Sequence, residues 1–174
     1  MQRYLGFIVL AAAFIVGAFL AKSNLFVSGE TAFENKDYAT ALAKLQKADS
    51  PQGQYYLGTI YFNGLGTQKD PVQAVKWYTR AAKQGHPEAQ FALGSMYAKG
   101  EGVQVNLTTA VDWYKKSALQ NNSKAQFNLG IAYGTGSGVP RDEAEALKWI
   151  RKSAELGNER AQQALASLTN QPKH

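Results

Sequence analysis

His86 and His174 are the only imidazoles in this 174-residue chain, and there is no cysteine. Imidazole chemistry, whether metal binding or general acid–base catalysis, would have to be built on one or the other. His86 precedes Pro87 at a helix start, where capping suffices to explain it, and His174 is the terminal residue. Without cysteine there are no disulfides, thiolate zinc sites or cysteine nucleophiles. The carboxylate pair Asp142-Glu143 is accounted for by the preference of acidic residues for helix starts. Gly134-Thr135-Gly136-Ser137-Gly138 has the glycine density of a phosphate-cradling loop. It follows a helical pattern rather than a strand, so it reads as a turn. Trp77, Trp113 and Trp149 would make an aromatic ligand box if they converged, but helical spacing with alanines on the same face marks them as core. No catalytic residue, metal site, cofactor or small-molecule ligand is expected.

What positions these residues is a period of 36: Leu57, Leu93 and Leu129 recur at that spacing, as do Tyr61, Tyr97 and Tyr133 and the three tryptophans. Gln54, Gln90, Gln126 and Gln162 keep the same register, and Leu165 continues the leucine series. A fixed period in this range marks stacked repeats, each burying its apolar face against the next.

Each unit reads as two helices. On a wheel of about 100° per residue, Gln90, Leu93, Gly94 and Tyr97 share one stripe. Gly58, Gly94 and Gly130 occupy one register inside this first helix. A mid-helix glycine costs about 1 kcal/mol against alanine, so a neighbouring helix is expected to approach closely there. Turns follow at Gly64-Leu65-Gly66, Gly100-Glu101-Gly102 and 136–138. Asp70-Pro71, Asn106 and Asp142 then start a second helix as N-caps. Glu145, three residues after Asp142, suggests a variant capping box. The second helices carry the tryptophans and end at Gly85, Asn121 and Gly157, residue types that tolerate the left-handed C′ conformation. Ser50, His86, Asn122 and Asn158 start the next first helices. The expected organisation is a short helical unit over 24–49, three full units over 50–85, 86–121 and 122–157, a closing helix over 158–168 and a polar, frayed tail over 169–174.

The string Ala-Gln-Phe-x-Leu-Gly-x-x-Tyr-x-x-Gly-x-Gly-Val, followed by Asn, Ala, Trp-Tyr and Ala, is read at Ala89–Asn121 and echoed at Gln54–Gly85 and Ala125–Gly157. It resembles the Sel-one-like repeat, a relative of the tetratricopeptide repeat, and Gly29–Ala48 is similar to an ordinary tetratricopeptide unit. Gly53 in the first unit and Ile150 in the third depart from the pattern. The resemblance implies an all-α, right-handed α-solenoid of antiparallel helix pairs whose first helices line a concave face, acting as a non-enzymatic adaptor for protein partners. Some bacterial relatives are linked to cell-wall or β-lactam chemistry. They are cysteine-rich, so a hydrolase activity on envelope peptides is an alternative that this chain gives little reason to carry over.

Positions that recur serve stacking, and positions that differ are free to serve a partner. Tyr56, Ala92 and Asn128 share one register, Thr59, Ser95 and Ile131 a second, and Asn63, Lys99 and Thr135 a third. They lie about 140–200° from Gln90 on the wheel, opposite the packing stripe. Tyr56, Thr59, Asn63, Ala92, Ser95, Lys99, Asn128 and Ile131 are therefore the expected partner-binding groove; the other reading is a solvated helix surface. A basic row on the second helices (Arg80, Lys115, Lys116, Arg151 and Lys152, joined by Lys76, Lys83 and Lys148) suits an anionic lipid or acidic partner, or simply a solvated convex face. Lys and Arg outnumber Asp and Glu by 19 to 13, giving a net charge of +6. No nucleic-acid motif accompanies that charge, and nucleic-acid binding is not expected.

Residues 4–21 are uncharged and apolar, with Arg3 before and Lys22 after. A helix of that length spans about 27 Å, close to the roughly 30 Å hydrocarbon core. Residues 1–22 thus read as a signal anchor with the repeats on the outer side of the membrane, which the resemblance to bacterial relatives implies is a bacterial inner membrane facing the periplasm. The alternative is a signal peptide whose removal leaves a periplasmic or secreted protein.

Overall fold

The computed structural model describes residues 27–169, and every regular element within them is helical. α1 (Gly29–Glu34) and α2 (Tyr38–Leu45) form the short first unit. Three full pairs follow: α3 (Pro51–Asn63) with α4 (Pro71–Lys83), α5 (Pro87–Lys99) with α6 (Leu107–Ala118), and α7 (Ser123–Thr135) with α8 (Glu143–Glu155). α9 (Glu159–Thr169) closes the stack and runs one residue past the expected end. Helices pack on their sequence neighbours, and α1 also touches α3. This is an α-solenoid of helix pairs. The apolar stretch 4–21 and the tail 170–174 lie outside the described residues, and no described helix is long and apolar enough to cross a membrane.

The punctuation falls where the sequence places it. Ser50, His86 and Asn122 cap α3, α5 and α7, each accepting from the backbone N–H three residues on. Asp70, Asn106 and Asp142 do the same for α4, α6 and α8. Gly85, Asn121 and Gly157 all adopt positive φ. The capping box at Asp142 is only half made. Glu145 N–H donates to Asp142 at 3.0 Å, but the Glu145 carboxylate turns away to accept from Trp149 Nε1 at 3.0 Å and from Lys148 at 2.7 Å.

The glycine register inside the first helices has the expected steric cause. A Cβ on Gly94 would sit 2.8 Å from the Tyr114 ring and 3.1 Å from the Ala110 carbonyl oxygen. Gly130 would meet Ile150 and Ala146 in the same way, and Gly58 would meet Tyr78. Each glycine thus seats the aromatic or Ile that follows the tryptophan of its own unit. Leu57, Leu93 and Leu129 lie at the centre of the core, with at most 1% exposure. The indoles occupy its margin: Trp77 and Trp149 are buried, whereas Trp113 is only partly so. An indole is too large to be covered by the alanines beside it. Cations cover the outer ring faces instead, with Arg80 4.4 Å from Trp77, Lys116 4.2 Å from Trp113 and Lys152 4.9 Å from Trp149. That gives part of the basic row a packing role.

The recurrent glutamines tie one unit to the next. Gln90 Nε2 donates to the Ala82 carbonyl at 3.1 Å, and Gln126 and Gln162 make the same bond to Ala118 and Ala154. Gln84 and Gln120 in turn donate to Gln54 Oε1 and Gln90 Oε1, both at 2.8 Å. The residue at this register in the third unit is Leu156, which is 49% exposed, and Gln126 Oε1 is buried with no partner. Leu156 has φ −85° and ψ 14°, against −84° and 5° for Gln84, so glutamine fits the backbone there. Leu156→Gln is expected to stabilise the protein by about 1 kcal/mol, read as a higher urea midpoint, by satisfying that oxygen. An unchanged or lower midpoint would contradict the account of the ladder.

Candidate functional site

The first helices α3, α5, α7 and α9 present one face that their neighbours leave open. Two cavities on it have the same construction, displaced by one repeat. The first, of about 420 Å³, is walled by Tyr55 and Phe91, floored by Ala92 and rimmed by Glu88, the α6–α7 turn and Lys124. The second, of about 650 Å³, has Phe91 and Phe127 as walls and Asn128 as floor, with the α8–α9 turn and Arg160 on its rim. Every lining residue of the first has its counterpart 36 positions on in the second. The second is larger because Ser95, Lys99 and Tyr114 also open onto it. A smaller cavity of about 240 Å³, beside Phe62 and Tyr78, shares Phe91, Ala92, Ser95 and Lys99.

Five of the eight expected groove residues line cavities: Ala92, Ser95, Lys99 and Asn128 in those just described, and Ile131 in a shallow one of about 180 Å³ between α6 and α7. The other three are occupied within the fold. Tyr56 stacks on Phe33 with ring centroids 4.0 Å apart and donates to Glu34 at 3.2 Å. Thr59 donates to the Tyr55 carbonyl at 3.0 Å and lies 3.2 Å from Tyr78 Oη. Asn63 is exposed but donates to the Thr59 carbonyl. The short unit α1–α2 packs over this end of the face, so the open track belongs to the second and third full units.

Sequence reasoning missed the walls. Tyr55, Phe91 and Phe127 recur in register, and recurrence by itself points only to packing. These rings do both, being partly buried and facing the space between successive units. Tyr55 stacks on His86 at 4.6 Å, and His86 Nε2 lies 3.0 Å from Gln52 Oε1 while Nδ1 accepts from Ala89 N–H at 3.3 Å. Burial lowers the His86 pKa, against the opposing pull of Glu88, so neutral imidazole is the form that caps α5. Burial also pushes the Tyr55 phenol up. Among the described residues there is no group of three or more side chains of the metal-ligating types.

Comparison with known proteins gives a consistent result. The Sel1 repeat family matches residues 51–86, 87–122 and 123–158. A Sel1 repeat protein from Oxalobacter formigenes superposes with a TM-score of 0.73 and 40% identity, over 76% of this chain and 54% of that one. The protein c5321, a protective antigen of uropathogenic Escherichia coli with an SLR fold, gives a TM-score of 0.68 and 44% identity, over 71% of this chain and 27% of that one. Helicobacter pylori cysteine-rich protein B shares the fold at a TM-score of 0.56 and 22% identity, over 76% of this chain and 91% of its own. This chain therefore spans about half the length of the first of these structures and about a quarter of the second. No curated protein matches. Three matched repeats in unbroken succession, on a stack of helix pairs whose glycines, caps and glutamines all repeat with them, place this chain in the Sel1 repeat family.

Proposed function

We propose that this protein is a non-enzymatic scaffold that holds a protein or peptide partner along the open face of its first helices. The observation that carries the reading is the notch built twice, 36 residues apart, with the same aromatic walls and different floors and rims. A repeated frame with varied lining suits an extended partner that presents different groups at successive points. Side chains that recur without facing this track are used in stacking, so the partner would meet mainly those that vary. In this proposal residues 4–21 tether the chain to a bacterial inner membrane with the repeats in the periplasm. Its support is the uncharged length of that stretch and the basic residues at its two ends.

A photo-crosslinking residue at Asn128 tests the track, with one at the exposed Lys76 on a second helix as the reference. In native membranes, protein adducts are expected from position 128 and absent from position 76. Adducts from position 76 alone, or from neither, would refute the track. Retention of the protein in the membrane pellet after alkaline extraction, with the N-terminal mass intact, is the expected result for the anchor; release or a shortened N-terminus points to cleavage.

A further inference from the structure

The two notches differ in charge. In the first, Lys124 shares the rim with Glu88, and Glu88 also lies 3.4 Å from His86. In the second, Lys99, Lys124 and Arg160 all line one cavity whose lining holds a single carboxylate, Glu159; Lys99 stands at one end of it, about a helix length from Lys124 and Arg160. All three cations are exposed, and none takes part in any of the ion pairs found among the described residues. They come from three successive first helices: Lys99 from the end of α5, Lys124 from the start of α7 and Arg160 from the start of α9. The stacking of units therefore assembles this positive rim from residues far apart in the chain. Phe91 and Phe127 line the same space, which at about 650 Å³ is of a size that commonly holds ligands.

We propose that the partner is an acidic extended segment of a protein, which sets one Asp or Glu carboxylate against Lys99 and another against Lys124 and Arg160, with an apolar side chain against Phe91 and Phe127. This rests on the scaffold reading and gives its ligand a chemistry. Unpaired cations beside apolar walls favour an occupant that neutralises the one and covers the other. The fit extends to the first notch, where Lys124 and Glu88 ask for a neutral or mixed group, so that acidity is required at one end of the segment only.

The test is selection from a library of short random peptides displayed against the full-length chain in detergent micelles. Selected peptides are expected to carry Asp or Glu next to Phe, Leu or Trp. Synthetic copies should bind about tenfold or more weakly to the combined variant K99E/K124E/R160E, and binding should fall as salt rises. Binding to K47E, an exposed charge in the turn after α2 and outside both the track and the basic row, should be unchanged. All of these side chains are exposed, and an unaltered thermal melt of the triple variant confirms that it folds. Selection of basic or uncharged peptides would overturn the acidic ligand, as would acidic peptides indifferent to the triple variant. If such uncharged peptides are blocked by Asn128→Arg, the scaffold reading stands without this ligand. No enrichment of any peptide defeats both.

Discussion

Replacing Gly102 by alanine is expected to cost about 3 kcal/mol, lowering the melting temperature by roughly 10 °C. Two causes add. Gly102 has φ +70°, which an L side chain adopts only with strain, and its Cβ would overlap the backbone of Pro71 at the start of α4. Backbone at the first turn of a packed helix has no rotamer with which to move aside. The contact joins one unit to the next: Gly138 abuts Leu107 at the start of α6 in the same manner, and Gly66 abuts Tyr38 at the start of α2. Gly85 supplies the control. Its φ is +93°, but a Cβ there meets nothing within 4 Å, so Gly85→Ala should cost only about 1 kcal/mol of conformational strain. Equal losses from the two substitutions, measured by thermal and urea unfolding, would show that close approach between units is not what the turn glycines serve.

Tyr114→Ala is expected to cost about 3–5 kcal/mol, because the ring is 6% exposed and fills the space that Gly94 leaves open. Gly94→Ala alone should cost about 1–3 kcal/mol through crowding, even though alanine is the better helix former. The two changes should not add. With the Tyr114 ring gone, a Cβ at position 94 occupies part of the vacated volume, and only the 3.1 Å approach to the Ala110 carbonyl oxygen remains. A double-mutant cycle is the measurement, and the double variant should be clearly more stable than the sum of the single losses predicts. Strict additivity would mean that the glycine and the tyrosine are not fitted to each other.

The same pair bears on the binding track, because Tyr114 lies within reach of Ser95, Oη to Oγ at 3.4 Å, and forms part of the larger notch. Stability and recognition are therefore coupled at this position. Charge changes at Lys99, Lys124 and Arg160 probe the track more cleanly than truncation of its walls.

The period of 36, the helix boundaries and the identity of the core leucines were legible in the sequence, because they depend on local rules. Caps act within one turn, positive φ selects glycine or asparagine at a single position, and apolar spacing follows the helical repeat. The same rules placed Ala92, Ser95, Lys99, Asn128 and Ile131 on an open face. They did not show that Tyr56, in the register of Ala92 and Asn128, would be covered by Phe33, because that contact reaches across units. Nor did they show that Phe91 and Phe127 face outward as well as inward, that the indoles need cations over them, or that Leu156 leaves Gln126 Oε1 without a donor. Those outcomes depend on which side chains from separate units arrive at one point in space. Periodicity fixes the direction in which a side chain leaves its helix, but the stacking of units decides what it meets.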